Sequence, residues 1–350
     1  MISGGEAFFA FVGEKTDGHL HVADAFARGA GAAFVERWPI PGVDADRPIF
    51  EVRSTLGALQ ALAVHARRTV PDKLVAITGS AGKTTTKELL AAMLGKRFAT
   101  AATRGNFNNQ IGFPISLLSV PDGTEWMVAE LGMSSAGELS ALSRLARPDV
   151  AVFTVVRAAH LEFFANVAEI AEAKSELLAG LASNTDGGVI VANADDPEVA
   201  RIVRRHQAAH GHRVVWFGYR DPATTVDVRA VDLSAAPGGE IGTRFRLEVG
   251  RTSTVSVDVR LALHGRYNVE NFLAAAAAAW EIGVPLDEIA AVGAEIRPSG
   301  KRGVVHRLAP GYTLIDDTYN ANPDATAQAL ASAAELPASR RVAILGEMRE

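Results

Sequence analysis

The sequence contains no cysteine among its 350 residues, which excludes disulfide bonds, thiolate metal sites and cysteine nucleophiles. It also lacks a basic N-terminal segment followed by a long apolar run, which argues against a secretory signal. The most apolar stretch, residues 272–280, is far shorter than the ~20 residues of a membrane span, and we interpret it as a buried helix. These absences fit a cytoplasmic protein without a membrane span.

A large excess of positive charge is also missing, since 35 Lys and Arg residues face 40 Asp and Glu residues, for a net charge of -5. Proteins that bind nucleic acid usually carry a broad basic surface, so we do not expect nucleic acid as a partner. An anionic nucleotide would need a local positive site instead. At roughly 150 residues per domain, the length predicts about two or three domains.

Short apolar runs alternate with helical patterns along most of the chain. Residues 74–78, 126–130, 150–155 and 189–192 are predicted buried strands, and their alternation with helices predicts an α/β fold with a mostly parallel sheet. Residues 224–263 differ, because segments 245–249 and 255–261 alternate as half-exposed antiparallel strands do.

Two proline-containing segments, at residues 70–72 and 297–300, suggest domain boundaries. We therefore predict a small α/β N-terminal domain, a central P-loop-type domain and a partial Rossmann-like C-terminal domain, at residues 1–70, 71–297 and 298–350. In the last of these, residues 341–345 are a predicted strand.

The strongest local signal is the segment ITGSAGKTT at residues 77–85, between a predicted strand and a predicted helix. Glycines let backbone N–H groups surround phosphates, the lysine reaches the terminal phosphates, and the first threonine can ligate Mg²⁺. The strict GxxxxGK[ST] pattern fails because Ile77 replaces its first glycine, so a simple glycine turn is the alternative. The candidate ATP-binding residues are Gly79, Ser80, Ala81, Gly82, Lys83, Thr84 and Thr85.

This loop resembles the ATP-binding loop of the Mur ligase family, and other segments resemble the family's motifs in the family's order. They are RGNFNNQIGFP at 104–114, VAELGM at 128–133, AHLEFF at 159–164, AEAKSE at 171–176, HGRYNVEN at 264–271 and LIDDTYNANP at 314–323. The resemblance spans nearly the whole chain, and it is greatest to the family member that adds D-alanyl-D-alanine.

The resemblance implies a metal site with two Mg²⁺ ions held by Thr84, Glu130, His160 and a carbamylated Lys174. Lys83, Lys174 and His160 would be the catalytic residues. Without the resemblance, Glu130 would be a capping or surface glutamate, His160 a satisfied core or surface histidine, and Lys174 a solvated helix lysine.

Three further residues complete the implied nucleotide site. Asn268 and Asp317 suit the adenine and the ribose hydroxyls, and Arg302 would reach the ATP phosphates from the C-terminal domain. For Arg302 the alternative is a hinge with exposed basic residues.

The implied activity is that of an ATP-dependent amide-bond ligase in peptidoglycan precursor synthesis. A monomeric, cytoplasmic enzyme would add D-Ala-D-Ala to UDP-N-acetylmuramoyl-tripeptide through an acyl-phosphate, with the UDP-sugar bound by the first domain. The alternatives are another Mur-type amino acid ligase, an inactive ATP-binding fragment, or a P-loop NTPase that acts as a switch.

The sequence departs from the family pattern at both ends and at one internal position. The family's first strand and most of its third domain have no counterpart, so we expect both terminal domains to be incomplete and turnover by these residues alone to be poor. Arg157 stands where the family carries glycine, and we expect it to alter the loop before His160.

Overall fold

The computed structural model describes most of the chain, namely residues 4–158, 163–220, 224–236, 241–250, 253–298, 300–308 and 311–348. Within these ranges, none of the helices combines the length and the apolar character that crossing a bilayer requires.

The first part of the described chain forms a small parallel sheet with its own core. Its strands, in spatial order, are β1 (Ala7–Phe9), β2 (Ala32–Val35) and β3 (Ile49–Glu51). Two helices accompany it, α1 (Val22–Ala27) and α2 (Thr55–Ala66). Ser54 caps α2, because its hydroxyl accepts a hydrogen bond from the Gly57 N–H at 3.1 Å.

A second sheet contains nine of the described strands. In chain order they are β4 (Lys73–Thr78), β5 (Thr100–Ala102), β6 (Trp126–Glu130), β7 (Val150–Phe153), β8 (Val189–Asn193), β9 (Arg213–Gly218), β10 (Val228–Ala235), β11 (Thr243–Val249) and β12 (Val255–Leu261). Their spatial order is β12-β11-β10-β9-β8-β7-β4-β6-β5. All neighbours from β10 to β5 are parallel, whereas β10, β11 and β12 pair antiparallel, as the sequence predicted for the last two.

Helices cover both faces of this sheet. They are α3 (Lys83–Leu94), α4 (Gly112–Leu118), α5 (Glu138–Ala146), α6 (Val167–Ser175), α7 (Pro197–His210), α8 (Arg266–Ile282) and α9 (Leu286–Glu295). Successive residues of β4 point to opposite faces. Val75 and Ile77 join one core with α3 and α8, and Leu74 and Ala76 join the other with α5, α6 and α7. Burial on both faces explains why the sequence shows β4 as an unbroken apolar run.

Strand β4 lies between β6 and β7. The connection after β4 therefore runs towards one edge of the sheet, to β5, and the connection after β7 runs towards the other edge, to β8. In open α/β sheets a crevice forms at such a switch point, beside the carboxyl ends of the strands, and ligands bind there. The sheet order therefore places a crevice directly after Thr78 and Phe153.

The last part of the described chain is an antiparallel pair, β13 (Val304–Leu308) and β14 (Tyr312–Asp316), followed by α10 (Pro323–Glu335). The strand predicted at residues 341–345 is wrong, because this segment has no regular structure. Ile344 is 92% exposed, and no described strand lies beside the segment to supply hydrogen bonds. The domain limits at residues 70 and 297 stay predictions.

Candidate functional site

The loop after β4 forms the turn that the sequence predicted, and α3 begins at Lys83. Gly82 precedes the helix in the left-handed region, with φ 84°, and a Cβ atom there would lie 2.1 Å from Asn271 Oδ1. At Gly79 a Cβ atom would lie 1.9 Å from Thr154 Oγ1. Neither position has room for a side chain, so both glycines serve close packing as well as the turn.

The segment after β7 braces this loop on one side. Ser80 N–H donates to the Val155 carbonyl at 2.7 Å, and Thr154 Oγ1 donates to the Ala81 carbonyl at 2.6 Å. The Lys83 ammonium donates to the Gly79 carbonyl at 2.8 Å. The loop thus presents its backbone, a lysine and the N-terminal end of a 12-residue helix at the crevice, which is an arrangement suited to phosphate.

Glu130 ends β6 beside the loop and is only 3% exposed. Its Oε2 accepts a hydrogen bond from Thr84 Oγ1 at 2.7 Å, and its Oε1 accepts one from Asn108 Nδ2 at 2.8 Å. The Glu130 N–H also donates to Thr103 Oγ1, at 3.1 Å. A carboxylate and a hydroxyl therefore meet at the first turn of α3, and both supply oxygen ligands of the kind that Mg²⁺ prefers.

Lys174 lies near the C-terminal end of α6 and is also 3% exposed. Burial, and then the positive charge of Lys83, hold the pKa of the Lys174 amine well below its ordinary value. A lowered pKa favours the uncharged, nucleophilic form of the amine. Among the described residues, no group of three or more His, Asp or Glu side chains is already arranged around a metal position.

The predicted nucleotide residues Asn268 and Arg302 line a common cleft with Thr85. Asn268 lies in the first turn of α8, where its Nδ2 donates to the His264 carbonyl at 2.7 Å. The guanidinium carbon of Arg302 stacks on the Tyr319 ring, 3.7 Å from the ring centroid.

Asp317 lies beside this cleft and is partly buried. Burial raises the pKa of its carboxyl group, while a hydrogen bond from the Gly303 N–H and the charge of Arg302 oppose the rise. The pKa of Tyr267 is raised to about 12 by burial and by the nearby Asp317. His160 lies outside the described residues, so its prediction has no counterpart here.

Sequence reasoning missed two contributors to the site. Lys87 is 3% exposed, and its ammonium donates to the Thr103 carbonyl at 2.8 Å and to the Gly105 carbonyl at 3.3 Å. This contact ties α3 to the segment that carries Asn108. Its position one helical turn after Lys83 was the only signal in the sequence.

The second contributor is the ion pair between Arg157 Nη1 and Asp196 Oδ2, which lie 2.5 Å apart. The backbone of Arg157 does not adopt a positive φ, so this position does not require glycine.

Comparisons with known proteins agree with this geometry. The Mur ligase middle domain matches residues 77–279. The UDP-N-acetylmuramoyl-tripeptide--D-alanyl-D-alanine ligase of Escherichia coli (strain K12) is 38% identical over 343 residues, which cover 98% of this chain and 72% of the relative.

Solved structures show the same similarity. A crystal structure of MurF from Acinetobacter baumannii matches with a TM-score of 0.82 and 34% identity, over 93% of this chain and 68% of that one. The MurF ligase from Thermotoga maritima in complex with ADP matches with a TM-score of 0.81 and 30% identity, over 96% of this chain and 73% of that one.

Proposed function

The chain belongs to the Mur ligase family, and from this premise we propose that it joins D-alanyl-D-alanine to UDP-N-acetylmuramoyl-tripeptide at the cost of ATP. The observation that carries the proposal is the joint placement of Lys83, Thr84, Glu130 and Lys174 around one loop. The substrate assignment is supported by a relative of that activity that is 38% identical over 98% of the chain. The product is a precursor of peptidoglycan.

The reaction would proceed in two displacements. A terminal carboxylate of the tripeptide attacks the γ-phosphorus of ATP, the bond to the β-γ bridging oxygen breaks, and ADP leaves. The amine of D-alanyl-D-alanine then attacks the acyl carbon, loses a proton, and displaces inorganic phosphate to leave the amide. Lys83 and the N-terminal end of α3 stabilise the negative charge on the transferring phosphoryl group.

The oxygen donors of the site fit magnesium. We propose that Glu130, Thr84 and a carbamate on Lys174 hold two Mg²⁺ ions together with His160, which lies outside the described residues. The neutral amine of Lys174 would bond to the carbon of CO₂ and release a proton, which leaves an anionic oxygen ligand. When bound, the metal neutralises phosphate charge that the protein's own groups leave uncompensated.

The other candidate residues receive roles that match their positions. Asn268 and Asp317 would contact the adenine and the ribose, and Arg302 would contact the phosphates across the cleft that it lines with Thr85. Residues 1–70 would bind the UDP-sugar, and residues 298–350 would begin the domain for the incoming amine. A cytoplasmic monomer is the proposed working form.

The test measures phosphate release from Mg-ATP in bicarbonate buffer, with UDP-muramoyl-tripeptide and with or without D-alanyl-D-alanine. We expect release that requires both substrates, and we expect Lys83→Ala to abolish it. The exposed, distant Lys96→Ala is the matched control and should behave as wild type. Release that responds to a different amino acid would favour another Mur-type ligase. Nucleotide binding without turnover would instead favour the inactive ATP-binding fragment.

A further inference from the structure

The segment that follows β7 carries the residue at which this chain departs from its family pattern. This residue is Arg157, and its side chain does not point freely into solvent. Its Nη1 contacts Asp196 Oδ2 at 2.5 Å and donates to its neighbour's carbonyl, that of Val156, at 3.0 Å. The guanidinium is 26% exposed, whereas Asp196 is 1% exposed.

Asp196 connects two parts of the molecule through its two oxygens. Its Oδ1 caps α7 by accepting from the N–H groups of Glu198 and Val199, each at 3.0 Å. Its Oδ2 accepts from the Val156 N–H at 2.9 Å, as well as from Arg157. The buried carboxylate therefore anchors the segment after β7 to the start of a 14-residue helix.

The same segment contacts Ser80 of the phosphate loop through two further hydrogen bonds, besides the Ser80–Val155 and Thr154–Ala81 bonds described above. The Arg157 N–H donates to Ser80 Oγ at 3.0 Å, and Ser80 Oγ donates back to the Arg157 carbonyl at 3.0 Å. A continuous chain of contacts thus runs from α7 through Asp196 and Arg157 to Ser80 in the loop. The Arg157–Asp196 ion pair is largely removed from water, so its attraction is screened less than that of an exposed pair. It therefore holds this series of contacts more firmly.

We propose that Arg157 is a positioning residue, which fixes the conformation of the phosphate loop through Asp196 and so sets the affinity for the nucleotide. This inference rests on the proposed function only in that the loop binds ATP. The guanidinium charge is matched by Asp196, so its role is to hold the Arg157 peptide in place for Ser80. The arginine side chain thereby restrains the backbone of the segment after β7.

The test measures the affinity for Mg-ADP by calorimetry, which requires no ligase turnover. If the phosphate loop of Arg157→Ala adopts its binding conformation only about a tenth of the time, the affinity of this variant for Mg-ADP falls about tenfold. Asp196→Asn keeps a capping oxygen for α7 but lacks the second oxygen and the charge, so it should weaken binding to a similar extent. The double variant should bind no more weakly than either single variant, because both remove the same contact.

Three further measurements separate positioning from a general loss of structure. Arg157→Lys should restore most of the affinity, since an ammonium can also pair with Asp196. Arg201→Ala removes an exposed arginine of α7 that pairs with Glu172 and Glu198, and it should bind as wild type does. In the ligase assay, Arg157→Ala should raise KM for ATP and leave kcat nearly unchanged.

Two results would overturn the inference. Wild-type affinity in Arg157→Ala would mean that the ion pair does not set the loop. Weak binding in Arg157→Ala with normal binding in Asp196→Asn would mean that Arg157 contacts the nucleotide directly. If the wild-type protein itself fails to bind Mg-ADP, the proposed function fails, and that outcome is distinct from the other two.

Discussion

Glu130 and Lys174 are both 3% exposed, but their surroundings are opposite. Glu130 accepts hydrogen bonds from Thr84 and Asn108, so its carboxylate is fully engaged on its side of the loop. The pKa of the Lys174 amine is lowered by burial and by the like charge of Lys83. One buried group is stabilised by its neighbours, whereas the lowered pKa of the other favours its neutral, reactive form.

This difference indicates that the two buried groups have different roles in the site. A hydrogen-bonded buried carboxylate is a rigid ligand, whereas an amine buried near a like charge costs stability and is typical of a functional site. The two sides of the loop should therefore respond differently to substitution, the Lys174 side mainly in activity and the Glu130 side in both activity and metal dependence.

The largest effect is expected for Lys174→Ala. Loss of the carbamate ligand should lower the rate of phosphate release about 10³-fold, the scale seen when a stabilising group of the transition state is removed. Mg-ADP affinity should change little, and acetate should partly restore the rate by supplying the missing oxygen ligand. A variant as active as wild type would show that Lys174 carries no ligand.

Glu130→Gln should have the next largest effect. The amide keeps the shape of the side chain and one acceptor oxygen, so the free energy of unfolding should change by about 1 kcal/mol or less. The rate at low Mg²⁺ should nevertheless fall about 10²-fold, because a neutral oxygen is a poorer ligand for the ion. A titration of rate against Mg²⁺ measures this, and an unchanged Mg²⁺ requirement would remove Glu130 from the metal site.

These two experiments rest on residues that the sequence indicated through the resemblance of their motifs to those of the family. The loop, Glu130 and Lys174 stand at the ends of elements whose apolar periodicity is clear, and β6 has the predicted bounds. The α/β fold and its antiparallel extension follow from the same patterns.

The features that the sequence did not predict depend on contacts between residues that are far apart in the chain. Arg157 and Asp196 are 39 residues apart, so neither predicts its partner. Strand β10 escaped prediction because its register shifts between Val231 and Ser234, with Asp232 at a positive φ of 57°, which interrupts the alternation. Lys87 resembles any helix lysine until the fold places carbonyl groups around it.

A third prediction concerns the free energy of unfolding of Lys174→Met and its dependence on pH. In the unfolded chain a lysine loses its proton near pH 10.5, and in the folded protein it does so far lower. Between these two values the unfolded chain binds more protons, so the free energy of unfolding of the wild type rises with pH. Lys174→Met should be more stable than wild type at pH 7 in CO₂-free buffer and should lose this part of the pH dependence. A slope equal to that of wild type would contradict the assigned burial.

The smallest effect is expected at His206, a partly buried group outside the site. Burial, and then the neighbouring His210 and His212, lower the pKa of His206 to about 4. The unfolded histidine binds a proton below about pH 6.5, so stability should fall as the pH drops from that value towards 4. Urea unfolding of His206→Gln should show a weaker decline, and the exposed His65→Gln should decline as wild type does.

The position of β4 between β6 and β7 also has a consequence for the order in which the protein folds. The strand that leads into the phosphate loop finds both of its neighbours later in the chain, and the contacts of the loop itself come from residues 154 to 157. Closing these long connections precedes any gain from them, so we expect the loop to become ordered late. In pulse-labelled hydrogen exchange during refolding, the amides of Ser80 and Arg157 should gain protection after those of the antiparallel strands β11 and β12. Nucleotide would then bind only to chains that have already completed the sheet.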